Sequence, residues 1–173
     1  MRNASFLAVG ILLILVQSNL YRLLGSFHVH GATPSLILPV VIFLGVHEQS
    51  MARGASLCFV LGYLLDLFAS APVGLFTFTF VAIWWLSRIA GVRLTAQTAL
   101  TRMSMALGFS LVESVIILML LAVFGADNRR PLEVGSVVLP HALATALVSP
   151  LIFRLAQWLH QSTLSVRSTE GQR

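Results

Sequence analysis

Residues 53–76 read RGASLCFVLGYLLDLFASAPVGLF, and this stretch decides how the rest of the chain is interpreted. It begins with a charge, continues apolar for about the length of one membrane helix, and ends in an acid followed by a Pro/Gly turn. Small residues recur at every fourth position, at Gly54, Cys58 and Gly62. The next step in this series is Asp66. Because four-residue steps drift by only about 40° on an α-helix, all four residues form one slowly turning stripe.

The stripe predicts a close contact with another helix, and Asp66 has to be explained together with it. Small residues let a second helix backbone approach closely, so a partner's membrane helix is one candidate for this contact. On that hypothesis, Gly62→Leu weakens partner binding and leaves membrane insertion intact. Two interpretations of Asp66 stay open. It caps the next helix or meets interfacial water, or it contacts a partner, since acids inside membranes usually have a function.

The composition is that of an integral membrane protein. Of 173 residues, 57% are hydrophobic and 10% are charged, which is more apolar surface than a soluble domain of this size can bury. The net charge of +5 comes from arginines that lie between apolar runs, which favours a positive-inside topology over nucleic-acid binding. Cys58 is the one cysteine of the sequence, which excludes an intramolecular disulfide and a multi-cysteine metal site.

The apolar runs predict an all-α integral membrane protein, a bundle of six transmembrane helices in one domain of residues 1–160. The first run resembles a signal peptide, but no small-residue cleavage site follows it, so we retain it as an uncleaved helix. We expect residues 161–173 to form a polar, mobile, cytoplasmic tail. The predicted spans are about 4–24, 34–48, 51–68, 72–90, 100–124 and 134–159.

The second predicted span has the shortest apolar run of the six. Thr33 and Pro34 open it as N-cap and first helical residue, and Pro39 is positioned to bend it. Its apolar run, residues 36–46, is short for a bilayer that needs about 20 residues, so the helix must borrow residues 47–49 or cross a thin membrane. A re-entrant segment is the alternative, but the parity of the charges favours a full crossing.

The arginines divide unequally between the two sides that six spans create. Six spans place both termini on one side, and the loops assigned to that side hold eight arginines against three on the other. The positive-inside rule expects this asymmetry, so we predict that both termini are cytoplasmic. The inner set is Arg2, Arg53, Arg88, Arg93, Arg102, Arg154, Arg167 and Arg173, and the outer set is Arg22, Arg129 and Arg130.

The sequence lacks the constellations that catalysis in a membrane needs. It contains no nucleophile elbow, no His-Glu-x-x-His motif and no glycine-rich phosphate loop. Glu48, Asp66 and Glu113 lie on three spans at three predicted depths, which does not readily supply a general acid–base pair. His28 and His30 have no acid or thiol nearby to complete a metal site. We therefore expect a protein that is not an enzyme and needs no metal or cofactor.

Glu113, near the middle of span five, is the polar residue that most needs an explanation, because it is an acid within an apolar run. Ser110 and Ser114 flank it on the same span. Two interpretations stay open: it joins helices as a protonated or serine-bonded glutamate, or it meets a charged partner. Arg22, or an arginine on another protein, is the candidate for that partner.

The segment of residues 53–78 resembles the family of the bacterial rod shape-determining protein MreD. That family shows a Gly-x-x-x-Asp segment followed by a Pro-x-Gly turn into the next helix. The matching positions here are Gly62, Asp66, Pro72 and Gly74. Gly54 matches the small residue at the start of the same helix. In length and span pattern the resemblance covers the whole chain, but only this segment is specific.

The resemblance implies a non-enzymatic protein of the bacterial inner membrane that belongs to the cell-elongation machinery. Such proteins associate with the shape protein MreC and, through it, with the MreB filament and the peptidoglycan synthase complex. We therefore expect a scaffold that is surrounded by membrane lipids, holds a partner's single membrane helix, and binds no nucleic acid. Three small-residue stripes are the candidate contacts: Gly54/Cys58/Gly62, Ser104/Gly108 and Ala142/Ala146.

The same family is similar in fold to the substrate-binding subunits of energy-coupling-factor vitamin transporters, and this supplies the alternative function. Those subunits carry an Ala-x-x-x-Ala stripe on the first helix, where they meet their coupling subunit. Ala4 and Ala8 fit that stripe, but Leu12 interrupts it. The outer loops also offer few polar side chains for a vitamin. The second alternative to the scaffold is an intramembrane enzyme.

Overall fold

The computed structural model describes residues 2–26, 34–48, 50–69, 72–91, 99–124 and 131–170. All regular secondary structure in these residues is α-helical. The helices are α1 (Arg2–Ser26), α2 (Leu38–His47), α3 (Met51–Phe68), α4 (Leu75–Gly91), α5 (Ala99–Phe124) and α6 (Pro131–Glu170). The predicted loop residues His28 and His30 and the outer arginines Arg129 and Arg130 lie outside the described residues.

Three helices in the described part of the chain are long and apolar enough to cross a membrane: Met51–Phe68, Leu100–Val123 and Val138–Leu159. Shorter apolar helices cover Ser5–Leu20, Leu38–His47 and Leu75–Ala90. These findings confirm the all-helical fold for the described residues and support a membrane location. The arrangement in six spans and the cytoplasmic position of both termini remain predictions.

Helix α2 lies in the centre of the molecule and not at its outer surface. Every residue from Pro34 to Gly45 is buried, and the helix packs against α3, α4, α5 and α6. Its 10 residues extend over about 15 Å, roughly half of the hydrocarbon thickness, so the predicted span 34–48 was too long as a helix. A helix that is apolar on all sides suits such a central position because every face meets protein.

The start of α2 also differs from the prediction. The helix begins at Leu38 with Ile37 at the cap position, four residues after Pro34. Pro39 lies in the first turn, where a backbone N–H has no partner within the helix. The proline therefore helps to start α2, and the expectation that it bends the helix was wrong.

Side chains from α1 and α6 bind the backbone just before α2. The N–H of Ser35 donates to Thr145 Oγ1 of α6 at 3.0 Å. The N–H of Leu36 donates to Gln17 Oε1 of α1 at 3.0 Å. Burying either N–H group without a hydrogen bond would cost free energy. These two bonds therefore fix the level at which α2 starts between its neighbours.

Aromatic side chains join α1, α2 and α6 around Phe43. The Phe43 ring lies 6.4 Å from the Phe6 ring of α1 in a stacked arrangement and 6.5 Å from the Phe153 ring of α6 in an edge-on arrangement. All three side chains are buried. These contacts place the first third of α1 and the middle of α6 beside the second half of α2.

Helix α6 extends beyond the predicted sixth span. It ends at Glu170, so residues 161–170 continue a helix where we expected a mobile tail. Pro140 and Pro150 both lie inside it. Pro150 has no N–H to donate to the carbonyl of Ala146, and Ser149 Oγ donates to that carbonyl at 2.7 Å instead. The helix therefore passes through its second proline without leaving that carbonyl unbonded.

The arginines whose side chains the structure describes lie at one end of the bundle. Arg88, at the end of α4, donates from Nη1 to the carbonyl oxygen of Glu48, which follows α2, at 2.7 Å. Arg102, near the start of α5, donates from Nη1 to Gln157 Oε1 of α6 at 3.2 Å. Because α3, α4, α5 and α6 alternate in direction, all four arginines with described side chains lie at this end: Arg53, Arg88, Arg102 and Arg154.

Candidate functional site

Asp66 lies near the end of α3 and caps the start of α4. Its side chain is 1% exposed. Oδ2 accepts hydrogen bonds from the backbone N–H groups of Gly74 at 2.9 Å and Thr77 at 3.2 Å. Oδ1 accepts from the N–H of Phe76 at 2.7 Å. The Thr77 hydroxyl donates a further bond to Oδ2 at 2.6 Å.

The position of this carboxylate follows from what a helix start lacks. The first N–H groups of a helix have no partner within the helix, and the helix dipole makes this end attractive to an anion. A buried N–H group without a hydrogen-bond partner is costly in free energy. Charge-assisted hydrogen bonds from one buried carboxylate satisfy these groups instead. The structure therefore agrees with the capping interpretation of Asp66, and both of its oxygens are occupied inside the chain.

The small-residue stripe of α3 is the surface on which α4 packs. A Cβ added at Gly62 would lie 2.6 Å from Thr77 Cα, so only glycine lets the two backbones come this close. A Cβ added at Gly54 would lie 2.5 Å from the indole nitrogen of Trp84. Cys58, between the two glycines, is fully buried. The stripe therefore lies inside the molecule, and Gly62→Leu would disturb the α3–α4 packing before it could report on a partner surface.

Pro72 and Gly74 form the turn that brings α4 back along α3. Span four was predicted to start at Pro72, but the helix begins at Leu75, whose N–H donates to the Pro72 carbonyl at 3.1 Å. Gly74 has a φ of 101°, a conformation that residues with a Cβ rarely adopt. The α3–α4 hairpin thus explains all the residues of the motif: its glycines, its acid and its proline.

A cleft of about 420 Å³ lies beside this turn, between the start of α4 and the far end of α5. Its lining has no side-chain hydrogen-bond donor or acceptor. A vitamin site needs a few placed polar groups to orient its ligand, and this cleft does not supply them. The lining residues are Pro72, Val73, Gly74, Leu75, Phe78, Leu120 and Leu121.

The other two small-residue stripes differ in their exposure. Ala142 and Ala146 of α6 are buried, at 1% and 4% exposed. Ser104 and Gly108 of α5 are exposed, and a Cβ added at Gly108 would meet no atom within 4 Å. Exposed apolar side chains continue this face. We call it the α5 outer face, made of Leu100, Ser104, Gly108, Val115, Met119 and Val123.

Glu113 is buried between α5 and α6, beside His141. Its Oε2 lies 3.8 Å from His141 Nε2 and has no hydrogen-bond partner among the described residues. Ser110 Oγ is likewise buried without a partner there, while Ser114 Oγ donates to the Ser110 carbonyl at 3.0 Å. The serines therefore do not supply a bond to Oε2. The side chain of Arg22, the predicted charged partner, lies outside the described residues.

Two residues that form close contacts in this bundle, His141 and Gly45, were not predicted from the sequence. His141 follows Pro140 inside an apolar run, and an ionisable residue in such a run is by itself a signal that could have been used. Gly45 of α2 packs so closely on α4 that an added Cβ would run into Ser87 Oγ and lie 2.8 Å from the Trp84 carbonyl oxygen. No signal in the sequence identifies the helix that Gly45 meets.

Within the described ranges, no three His, Cys, Asp or Glu side chains come close enough to hold a metal ion. The third predicted acid, Glu48, is buried at the arginine end, where its Oε1 accepts from the N–H of Ser50 at 3.4 Å. The three acids thus lie in three separate places. In comparisons with known proteins, no family model, no curated protein and no solved structure matches this chain.

Proposed function

We propose that this chain is a non-enzymatic scaffold of the bacterial inner membrane, related to the MreD family. On this proposal it binds the single membrane helix of an MreC-like partner and so helps to position peptidoglycan synthesis. The resemblance of residues 53–78 to that family supports the proposal. The capping of α4 by Asp66 is consistent with it, because the motif then serves to build the membrane bundle and not to bind a substrate.

The observation that carries the proposal is the α5 outer face. Gly108 presents bare backbone at the surface of a helix that is long enough to cross a membrane. Small residues at such a position let a second helix approach closely. The stripes of α3 and α6 are already buried within the chain. Of the three predicted stripes, the one on α5 is therefore available to a partner.

The length of the α5 outer face suits a partner helix that crosses the whole membrane. A single polar contact between membrane helices contributes only about 0.6–2 kcal/mol, so useful affinity has to come from packing over many residues. The apolar segment Leu100–Val123 has 24 residues and extends over about 36 Å. The aliphatic side chains on either side of Gly108 supply the area, and Ser104 and Gly108 set the closest approach.

The difference in positive charge between the two ends of the bundle supports the proposed topology. Arg53, Arg88, Arg102 and Arg154 lie at one end of the bundle, and the turn of Pro72–Gly74 lies at the other. Arginines are enriched on the cytoplasmic side of membrane proteins. The arginine end therefore faces the cytoplasm in this proposal, together with both termini.

Copurification from native membranes tests the proposal. We expect full-length tagged protein in mild detergent to retain a single-span MreC-like protein together with wall-synthesis enzymes, identified by mass spectrometry. Gly108→Leu fills the place where the partner backbone approaches, so recovery of the partner should fall several-fold. Because no described atom outside the neighbouring backbone of α5 lies within 4 Å of the added Cβ, the variant should fold normally.

Ala8→Leu on the exposed surface of α1 is the control, and it should retain the partner as the unchanged protein does. Equal recovery with and without Gly108→Leu contradicts a docking site on the α5 outer face. Absence of any elongation protein from the retained material contradicts the proposed function as a whole.

The energy-coupling-factor alternative is favoured by one observation. Ala8 lies exposed on α1, on the helix where transporter subunits of that type carry their contact stripe. On this alternative, a coupling subunit with its ATPases, or a bound vitamin, copurifies instead. Loss of that subunit in Ala8→Leu, with no effect of Gly108→Leu, would establish the alternative.

A further inference from the structure

A buried acid and a base face each other between α5 and α6, and the proposed scaffold role does not involve them. Glu113 Oε2 and His141 Nε2 are 3.8 Å apart, with side chains that are 3% and 25% exposed. Ser110 lies one turn before Glu113 on the same face of α5, and its hydroxyl is buried without a hydrogen-bond partner among the described residues. An acid and a base therefore face each other in this interface, with an unbonded serine hydroxyl one turn earlier on α5.

A bare carboxylate at this position would be strongly unfavourable. Burying an unpaired ion in a protein interior costs several kcal/mol even after the surroundings relax. A proton on the Glu113 carboxyl removes the charge, and a proton on the His141 imidazole pairs it. Both arrangements leave the two side chains without net charge. Both also hold one proton more than a carboxylate beside a neutral imidazole.

No other described charged group is placed to neutralise Glu113. On α5 itself, Arg102 lies eleven residues earlier and binds Gln157. On α4 and just after α2, Arg88 and Glu48 meet each other at the arginine end. The remaining described ionisable groups on the helices that pack against α5 are His47, near the end of α2, and Arg154 of α6. Both also lie toward the arginine end.

We propose that Glu113 and His141 form a proton-binding site inside the membrane-embedded bundle, with one proton shared between them. His141 is the more exposed of the two partners, at 25% against 3% for Glu113. Pro140 directly precedes His141 and removes one backbone hydrogen bond of α6 there. This site is independent of the proposed function.

Infrared titration of the full-length protein in lipid bilayers tests the site. The carboxyl band of Glu113 is assigned by its loss in Glu113→Gln, and the imidazole bands of His141 by their loss in His141→Gln. At neutral pH we expect one bound proton, either on the Glu113 carboxyl or on the His141 imidazole. Replacing either partner should shift the titration midpoint of the other, because the two groups share one proton.

Ser114→Ala is the matched control, because its hydroxyl is bonded to the Ser110 carbonyl and it should leave both midpoints unchanged. An ionised Glu113 beside a neutral His141 at neutral pH would overturn the proposal. Midpoints that do not move when the partner is replaced would overturn it as well. If Glu113→Gln does not fold, the displacement of the carboxyl band in Glu113→Asp assigns it, and the titration of Glu113 in His141→Gln against the unchanged protein decides the question.

Discussion

Asp66 shows how an acid within an apolar segment can act entirely inside its own chain. Its two oxygens accept three backbone N–H bonds and one hydroxyl bond from the start of α4. Gly62, one turn earlier, brings the two backbones together, and Gly74 allows the turn between them. The residues that resemble the MreD family thus act as one unit that joins α3 to α4.

Replacing Asp66 should therefore weaken the fold directly. Asp66→Ala leaves the first N–H groups of α4 unbonded, and each orphaned donor costs about 1–3 kcal/mol. We expect a loss of at least about 3 kcal/mol in the free energy of unfolding, measured by denaturant titration in micelles. Asp66→Asn keeps one acceptor oxygen and should lose less. Ser56→Ala, on the exposed side of α3, should change stability by no more than about 0.5 kcal/mol. Equal losses for Asp66→Ala and Ser56→Ala would contradict the cap.

Single residues differ in how far their roles can be predicted from sequence. The cap was one of two interpretations of Asp66 because the Pro72–Gly74 turn returns the chain to it within about eight residues. The pairing of Glu113 with His141 could not be predicted, because it depends on the register between α5 and α6. That register is set by packing along the whole interface, which no local pattern encodes.

At the scale of helices, two glycines of the same chain have opposite surroundings, and this gives a matched test. Gly62→Ala places a Cβ 2.6 Å from Thr77 Cα, so α3 and α4 must move apart. We expect this variant to lose about 1–3 kcal/mol of stability. Gly108→Ala places a Cβ in open space and should gain about 0.5–1 kcal/mol, because alanine favours a helix over glycine. Thermal unfolding of both variants checks the signs, and stabilisation by both would contradict the α3–α4 contact.

The helices also differ in how well the sequence predicts their bounds. Helix α3 occupies residues 51–68, as predicted for span three, because a charge and a Pro/Gly turn mark its ends. Helix α2 is shorter than predicted because an apolar run looks the same whether it faces lipid or the centre of a bundle. Helix α6 is longer because a helix already formed extends easily into polar sequence, where no apolar pattern marks it.

In the whole molecule, α5 connects the two proposals. Its outer face, with Gly108, points away from the bundle, and its inner face carries Glu113 toward His141 of α6. A partner helix packed on α5 would lie next to the interface that holds the proton site. The four arginines with described side chains lie at one end of the bundle, and the proposed topology places this end on the cytoplasmic side.

Photo-crosslinking in native membranes tests the central claim, the docking of a partner helix on α5, most directly. A photoreactive residue replaces Gly108 on the α5 outer face or, as the matched control, Phe59 on the exposed side of α3. We predict that a single-span MreC-like protein is captured from position 108 and not from position 59. Capture from position 59 alone, or equal capture from both positions, would contradict it.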